Sequence, residues 1–370
     1  MQNLLTPLWP PDLNLKKSSH PITLPAIGVD VGFFSTKFSI GRHGNRGGDI
    51  EVRQFPSLAP RISTALKEVS AKDGLQGVLI EVEEGVRHFV GKDVFHLIGT
   101  SNSRAVTPDY CLTADYKALF LGALFHIARE HEADSDFLIK VLIAGLPLST
   151  VYTHSKGLEV FIKGPHTIPN PADPSRTIRV TVERSMVIAQ PQGALIAHGI
   201  GNGPAVPGDF NTLVLDMGGG TFDWFVAKGV KPNRALCGAT SIGALACAAA
   251  ICDEIKPGLK DNPDIMARVD RALRDEDEFV TVTGIKYEMR KFEPIIHRVL
   301  DDAIEQMRKS VGSLDSMDKI LVTGGGARML KKALDVALPE YSRLIHVDDE
   351  PVASNVRGFH ALAEYQSERR

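Results

Sequence analysis

Two segments of the chain run from an apolar stretch into an aspartate and then glycine: residues 27–40, IGVDVGFFSTKFSI, and 213–226, LVLDMGGGTFDWFV. A third, residues 320–334, ILVTGGGARMLKKAL, passes through three glycines into a helical pattern. A glycine-rich turn gathers backbone N–H groups into one concavity, which suits an anion. It also lets the backbone approach that anion with no Cβ in the way. The aspartates, Asp30 and Asp216, would repel a phosphate directly. They make sense with a hydrated Mg²⁺ in between, since that ion keeps most of its waters and carboxylates take its outer shell. One aspartate from each half would converge on one metal, through water, if the halves face each other across a cleft. Each signal alone has a plain structural alternative: a triple-glycine turn as a tight connection, an aspartate after a strand as a cap. The set and its order along the chain carry the reading.

These residues need strands that end at the aspartates. Hydrophobic spacing predicts strands at 26–31, 37–42 and 49–55, then a hairpin over 78–91. An amphipathic helix follows over 113–132, where Leu119, Leu121, Leu124, Phe125 and Ile127 recur near the 3.6 period. A strand is expected at 137–144, a Pro, Gly and Asn-rich loop at 163–176, a strand at 177–189 and a short apolar helix at 190–199. Residues 200–209, IGNGPAVPGD, hold three glycines and two prolines and mark a domain boundary. The second half repeats the pattern: strands at 212–216 and 222–229, then helices at 244–255, 262–278 and 288–311. A strand at 319–322, a helix at 329–338, a strand at 344–347 and a last helix at 351–368 complete it. Two similar halves of strands and helices indicate an α/β duplication.

The 370 residues include 42 Lys and Arg against 45 Asp and Glu, a net charge of −3. Such a balance excludes a generic polyanion binder, which needs clustered basic residues to displace counterions. Any DNA contact would pass through an adaptor. Hydrophobic residues make up 43% of the chain, ordinary for a globular protein, and the length favours two domains. No stretch approaches the roughly 18 apolar residues of a membrane span. Cys111, Cys237, Cys247 and Cys252 form no C-x-x-C pair and read as reduced thiols of a cytoplasmic protein. The opening, MQNLLTPLWPPDLNLKKSSHP, holds four prolines and reads as a loosely docked arm, with Trp9 a hint of docking.

Taken in order, the motifs resemble the actin-like ATPase superfamily, which also holds heat-shock chaperone ATPases and sugar kinases. IGVDVGFFSTK is similar to its first phosphate motif, QPQGALIAHG to the first connecting motif and LDMGGGTFDWFV to the second phosphate motif. ILVTGGGARML is similar to the adenosine motif and PVASNVRGF to the second connecting segment, so the resemblance spans residues 27–359. GLPLS and NVRGF look most like the ParM group of plasmid-segregating bacterial actins.

The resemblance implies a two-lobed, duplicated, ribonuclease-H-like α/β fold with a central nucleotide cleft. Its parts would be an arm over 1–24, domain I over 25–205, domain II over 206–345, and a C-terminal helix over 346–370 returning to domain I. ATP and Mg²⁺ are the implied cofactors, with Asp30 and Asp216 on the metal side through water. Gln190 would orient the attacking water and, with the two aspartates, make up the catalytic set. Lys37, seven residues after Asp30, would neutralise β/γ-phosphate charge. Gly32, Phe33, Phe34, Ser35 and Thr36 would line the first phosphate loop, and Gly218, Gly219, Gly220 and Thr221 the second. Gly324, Gly325, Gly326 and Arg328 would meet the adenosine and α-phosphate. One departure stands out: the family often has Ser or Thr where this chain has Phe33, followed by Phe34. Backbone N–H groups, Ser35 or Thr36 must then supply the donor. Asp223 matches the chaperone-like GGGTFD pattern, and fits either turn stabilisation or a direct role.

The implied function is a filament that hydrolyses ATP and moves plasmid DNA through an adaptor. The alternative is a non-polymerising ATPase regulator or a small-molecule kinase, for which Asp223 is the available base. A chaperone would need a long peptide-binding region, and 11 residues follow Phe359.

Overall fold

A computed structural model describes residues 22–44, 48–62, 75–98, 107–201 and 208–369. Most of the expected arm, with Trp9, lies outside these residues, as does most of the expected boundary at 200–209.

The first half begins with β1 (Thr23–Val31), β2 (Ser35–Arg42) and β3 (Ile50–Pro56), joined as an antiparallel meander. A separate hairpin, β4 (Gly77–Glu83) and β5 (Val86–Gly91), precedes helix α1 (Ala114–Glu130). Thr113 caps α1, its side chain accepting from the Tyr116 N–H. Next come β6 (Phe137–Leu146), α2 (Leu148–Ile162), β7 (Gly164–Pro169), β8 (Thr177–Ala189) and α3 (Gln190–Gly201). The sheet order is β3-β2-β1-β6-β8-β7, with β1, β6 and β8 parallel.

The second half repeats this with β9 (Asn211–Met217), β10 (Phe222–Lys228), β11 (Lys231–Pro232) and the short β12 (Gly238–Thr240). Helices α4 (Ala244–Ile255) and α5 (Pro263–Arg274) follow, then the hairpin β13 (Phe279–Val282) and β14 (Ile285–Glu288). The chain continues through α6 (Glu293–Val311), β15 (Lys319–Thr323), α7 (Ala327–Ala337), β16 (Ile345–Val347) and α8 (Ser354–Glu368). The second sheet runs β11-β10-β9-β15-β16. Again three antiparallel strands are followed by parallel ones. This is a two-domain mixed α/β fold.

Central strands are largely apolar because most of both faces is covered. On β1, Ile27 and Val29 join the core formed with α1, while Ala26 packs with Val356, Phe359 and Ala363 of α8. The last helix of the sequence therefore lies against the first strand. It crosses α3 so closely that a Cβ on Gly358 would land on the Gly193 carbonyl. Ser39 of β2 fastens the same place: its hydroxyl lies 2.8 Å from His360 Nδ1 of α8 and accepts from Gly28 N–H at 2.8 Å.

The elements differ from the expected pattern in several places. Residues 164–169 form a strand where a loop was expected, and its prolines are tolerated because β7 is an edge strand paired only with β8. Helix α2 and the β13–β14 hairpin had no counterpart in the spacing. The helix expected over 288–311 starts at Glu293, because Glu288 still belongs to β14.

Candidate functional site

Asp30 is the next-to-last residue of β1, paired across to Lys37 of β2. Strand pairing thus places the Lys37 ammonium 3.4 Å from Asp30 Oδ2. The turn between them carries Gly32, Phe33, Phe34 and Ser35, and the N–H of Ser57 donates to the Phe34 carbonyl at 2.8 Å. Phe33 stacks on Tyr110, with ring centroids 4.8 Å apart.

Asp216 occupies the matching place on β9, paired with Asp223 of β10 and Thr323 of β15. The following turn closes on itself through Gly218 N–H to Thr221 O at 2.9 Å, and α4 starts against it, Ala244 N–H donating to Gly218 O. The third loop requires glycine at its first position. Gly324 has φ +87°, and a Cβ there would strike Asp216 Oδ1 and Met217 O.

Both aspartates are buried and line one narrow cleft between the domains. Each is held by a carboxamide from one of the two crossing helices. Gln190, at the start of α3, donates from Nε2 to Asp30 Oδ1 at 2.6 Å. Asn355, in the first turn of α8, donates from Nδ2 to Asp216 Oδ2 at 2.7 Å. Burial pushes the Asp216 carboxyl up to about 6; Asp30 adds to the rise, while Asn355 and Lys37 oppose it. Asp223 is pushed to about 7, first by burial and then by Asp216. Its Oδ1 accepts the Leu148 N–H at 2.6 Å, so Asp223 ties the second sheet to the start of α2 in the first domain.

Gly32, Phe33, Phe34, Ser35, Lys37, Gln190, Gly218, Gly219, Gly220, Thr221, Gly324 and Gly325 line the cleft with the two aspartates. Thr36, Gly326 and Arg328 are not among its lining residues. The Thr36 hydroxyl is buried against Ser57 Oγ at 2.9 Å, because strand alternation turns it inward between Ser35 and Lys37. Gly326 instead donates its N–H to Met217 O. Arg328 stands in a wider recess of about 570 Å³ that shares Lys37, Arg274, Gly325 and Val352 with the cleft.

Three polar or charged cleft residues escaped the sequence reading: Asn355, Asp270 and Arg274. Asp270 of α5 is almost fully buried and accepts from Arg274 Nε at 2.7 Å. The Arg274 guanidinium lies 4.9 Å from the Phe34 ring centroid.

Among the described residues no group of three or more His, Cys, Asp or Glu could hold an ion, so a protein cage is not present. Two buried carboxylates on opposite walls, facing a single lysine, instead suit a hard cation that keeps its waters and takes ligand oxygens. Magnesium fits that description.

Residues 28–193 match the family described as actin like proteins N terminal domain. Residues 214–336 match that described as archaeal actin homologue MreB-like, C-terminal. The two matched segments take in most of the chain and both aspartate loops. The chain is a member of the actin-like superfamily. The actin-like protein Alp7A, at 17% identity, superposes with a TM-score of 0.70 over 94% of this chain and 98% of that one. The archaeal actin homologue Ta0583 in complex with ADP gives 19% and 0.67, over 93% and 99%. A ParM from a 15-stranded Clostridium botulinum filament gives 17% and 0.67, over 93% and 99%. Among curated sequences, the chaperone protein dnaK1 of Prochlorococcus marinus (strain MIT 9313) is 27% identical over 192 residues, 42% of this chain. That match spans only 28% of the chaperone's length.

Proposed function

We propose that this actin-like chain binds and hydrolyses ATP with Mg²⁺ in the inter-domain cleft and polymerises into filaments. The filaments would segregate plasmid DNA through a DNA-binding adaptor in the cytoplasm. The observation that carries the first part is the pair of buried aspartates on opposite walls, Asp30 and Asp216, among glycine loops and one lysine. Phosphates would lie in the narrow cleft, with Lys37 offsetting their charge. The nucleoside would occupy the adjoining recess, where the guanidinium of Arg328 would offer a stacking plane for a purine.

Asp30 and Asp216 would hold a magnesium ion through its water ligands, and the charge it supplies when bound would offset that of the phosphates. Gln190 has its amide nitrogen committed to Asp30, which fixes the side chain and leaves its oxygen to orient a water. A glutamine is a weak base, so its role is positional and turnover is slow. Filament formation and the adaptor rest on likeness to the ParM and Alp7A structures. The small-molecule kinase alternative needs Asp223 as a base, yet Asp223 is engaged with Leu148.

The test is phosphate release with ATP and Mg²⁺, together with electron microscopy in a slowly hydrolysed ATP analogue. Turnover with filaments is expected. Turnover with no filaments and no rise in light scattering would favour the non-polymerising reading. No purine triphosphate binding would overturn the proposal.

A further inference from the structure

We propose that Phe34 is a cross-cleft latch that sets how fast bound nucleotide escapes. The proposal rests on the nucleotide-binding reading above. Adjacent phenylalanines of the first loop face opposite domains. Phe33 stacks on Tyr110 of its own domain. Phe34 crosses to the second domain and lies over the Arg274 guanidinium at 4.9 Å, inside the roughly 6 Å reach of a cation–π contact.

The second domain is shaped to receive it. A Cβ on Gly219 would sit 2.8 Å from the Phe34 Cβ and 3.6 Å from Leu245 Cδ1. Any larger residue at 219 would therefore force Phe34 or its own loop to shift. Arg274 is not free to follow when the domains part, because its Nε is held by the buried Asp270 at 2.7 Å. The other end of the latch is also fixed: the Phe34 carbonyl accepts from Ser57 N–H, and Phe33 is stacked beside it. Opening the cleft therefore requires lifting the Phe34 ring off a rigid seat. The contact stands where Phe34 and Arg274 both line the cleft with Asp30, Asp216 and the glycine loops, so phosphates leaving that cleft pass it.

The experiment measures release of a fluorescent ATP analogue, with Mg²⁺, from the full chain and from Phe34→Leu, Arg274→Gln and the double variant. Leucine keeps apolar bulk and removes the ring face. Release should quicken about 3- to 30-fold in Phe34→Leu, the range that an ordinary cation–π contact converts to. The double variant should be no faster than the faster single one. Unchanged release in Phe34→Leu, or factors that simply multiply, would overturn the latch. A second arm uses no nucleotide: hydrogen exchange of the Gly218–Thr221 amides and of α5 should speed up in Phe34→Leu, and unchanged exchange there overturns the latch as well. If the parent binds no analogue, the proposed function fails, and the exchange arm alone decides the latch.

Discussion

Gln190 donates to Asp30 at 2.6 Å, and the contact has a counterpart in Asn355 and Asp216 at 2.7 Å. Each aspartate is the next-to-last residue of a central strand of one sheet, and each is held by an amide from one of two crossing helices. The amide donates a hydrogen bond to each carboxylate without adding a charge of its own.

Replacing Gln190 or Asp216 with alanine should leave the fold intact and lower phosphate release roughly 10²-fold or more, the usual loss for a water-positioning or metal-side group. Parent-like rates in both variants would show that the cleft chemistry is assigned to the wrong residues.

Asn355→Ala should destabilise the protein by about 1–3 kcal/mol, because the buried Asp216 carboxylate loses its donor. Denaturant unfolding in EDTA reads this without nucleotide. Mg²⁺ should recover part of the loss if the cation meets Asp216, and no recovery would argue against that placement.

Chelation by EDTA should abolish turnover, and Mg²⁺ should restore it. Turnover that persists in EDTA would rule out the magnesium requirement.

Gly358→Ala should cost about 1–3 kcal/mol or more, as overpacking does, since its Cβ would land on the Gly193 carbonyl. A melting temperature equal to the parent's would mean that the two helices separate easily.

Acid should weaken the seat of α8 on β2. Burial would raise the Glu364 pKa, but hydrogen bonds from His360 and Arg42 outweigh it and hold the carboxyl at about 2, against an ordinary 4.5. The folded value lies below the unfolded one, so this stabilisation is complete above about pH 5 and fades as pH falls toward 2. Arg42 Nη2 meets Glu364 Oε2 at 2.7 Å, with both side chains partly exposed, so solvent screening reduces the effect to about 1–2 kcal/mol. Glu364→Gln should be less stable than the parent at pH 7, and the gap should narrow as pH falls below the ordinary 4.5 and close only near about pH 2. A gap that does not change with pH would refute the assignment.

The two aspartates are legible because an acid beside a glycine turn at a strand end suits a hydrated cation next to phosphate, whereas Lys37 and Gln190 are picked out by position through the resemblance to the actin-like superfamily. Asn355 lay inside a recognisable segment, but a neutral amide leaves no charge pattern to notice. Helix α5 shows the limit most clearly. It carries two acid–arginine pairs at the same spacing, Asp264–Arg268 and Asp270–Arg274, and only burial separates them. The first pair is half exposed, while Asp270 is 2% exposed in the cleft. Thr36 misled in the opposite way, since a hydroxyl beside a phosphate loop invites a role that strand alternation denies it. In β7, Pro165 and Pro169 hide a strand because one-sided pairing at an edge does not depend on their missing N–H groups.

Gln190 and Asn355 each stand three residues before the glycine at which their helices cross, Gly193 and Gly358. That glycine pair acts as the rivet of a pair of shears, with the gripping jaws less than one helical turn from the pin and the handles far out on the surface. A slight rotation of one helix on the other would move the outer faces further than the jaws, which lie close to the pin. A broad displacement of those faces would therefore reach the two aspartates as a small, geared-down movement.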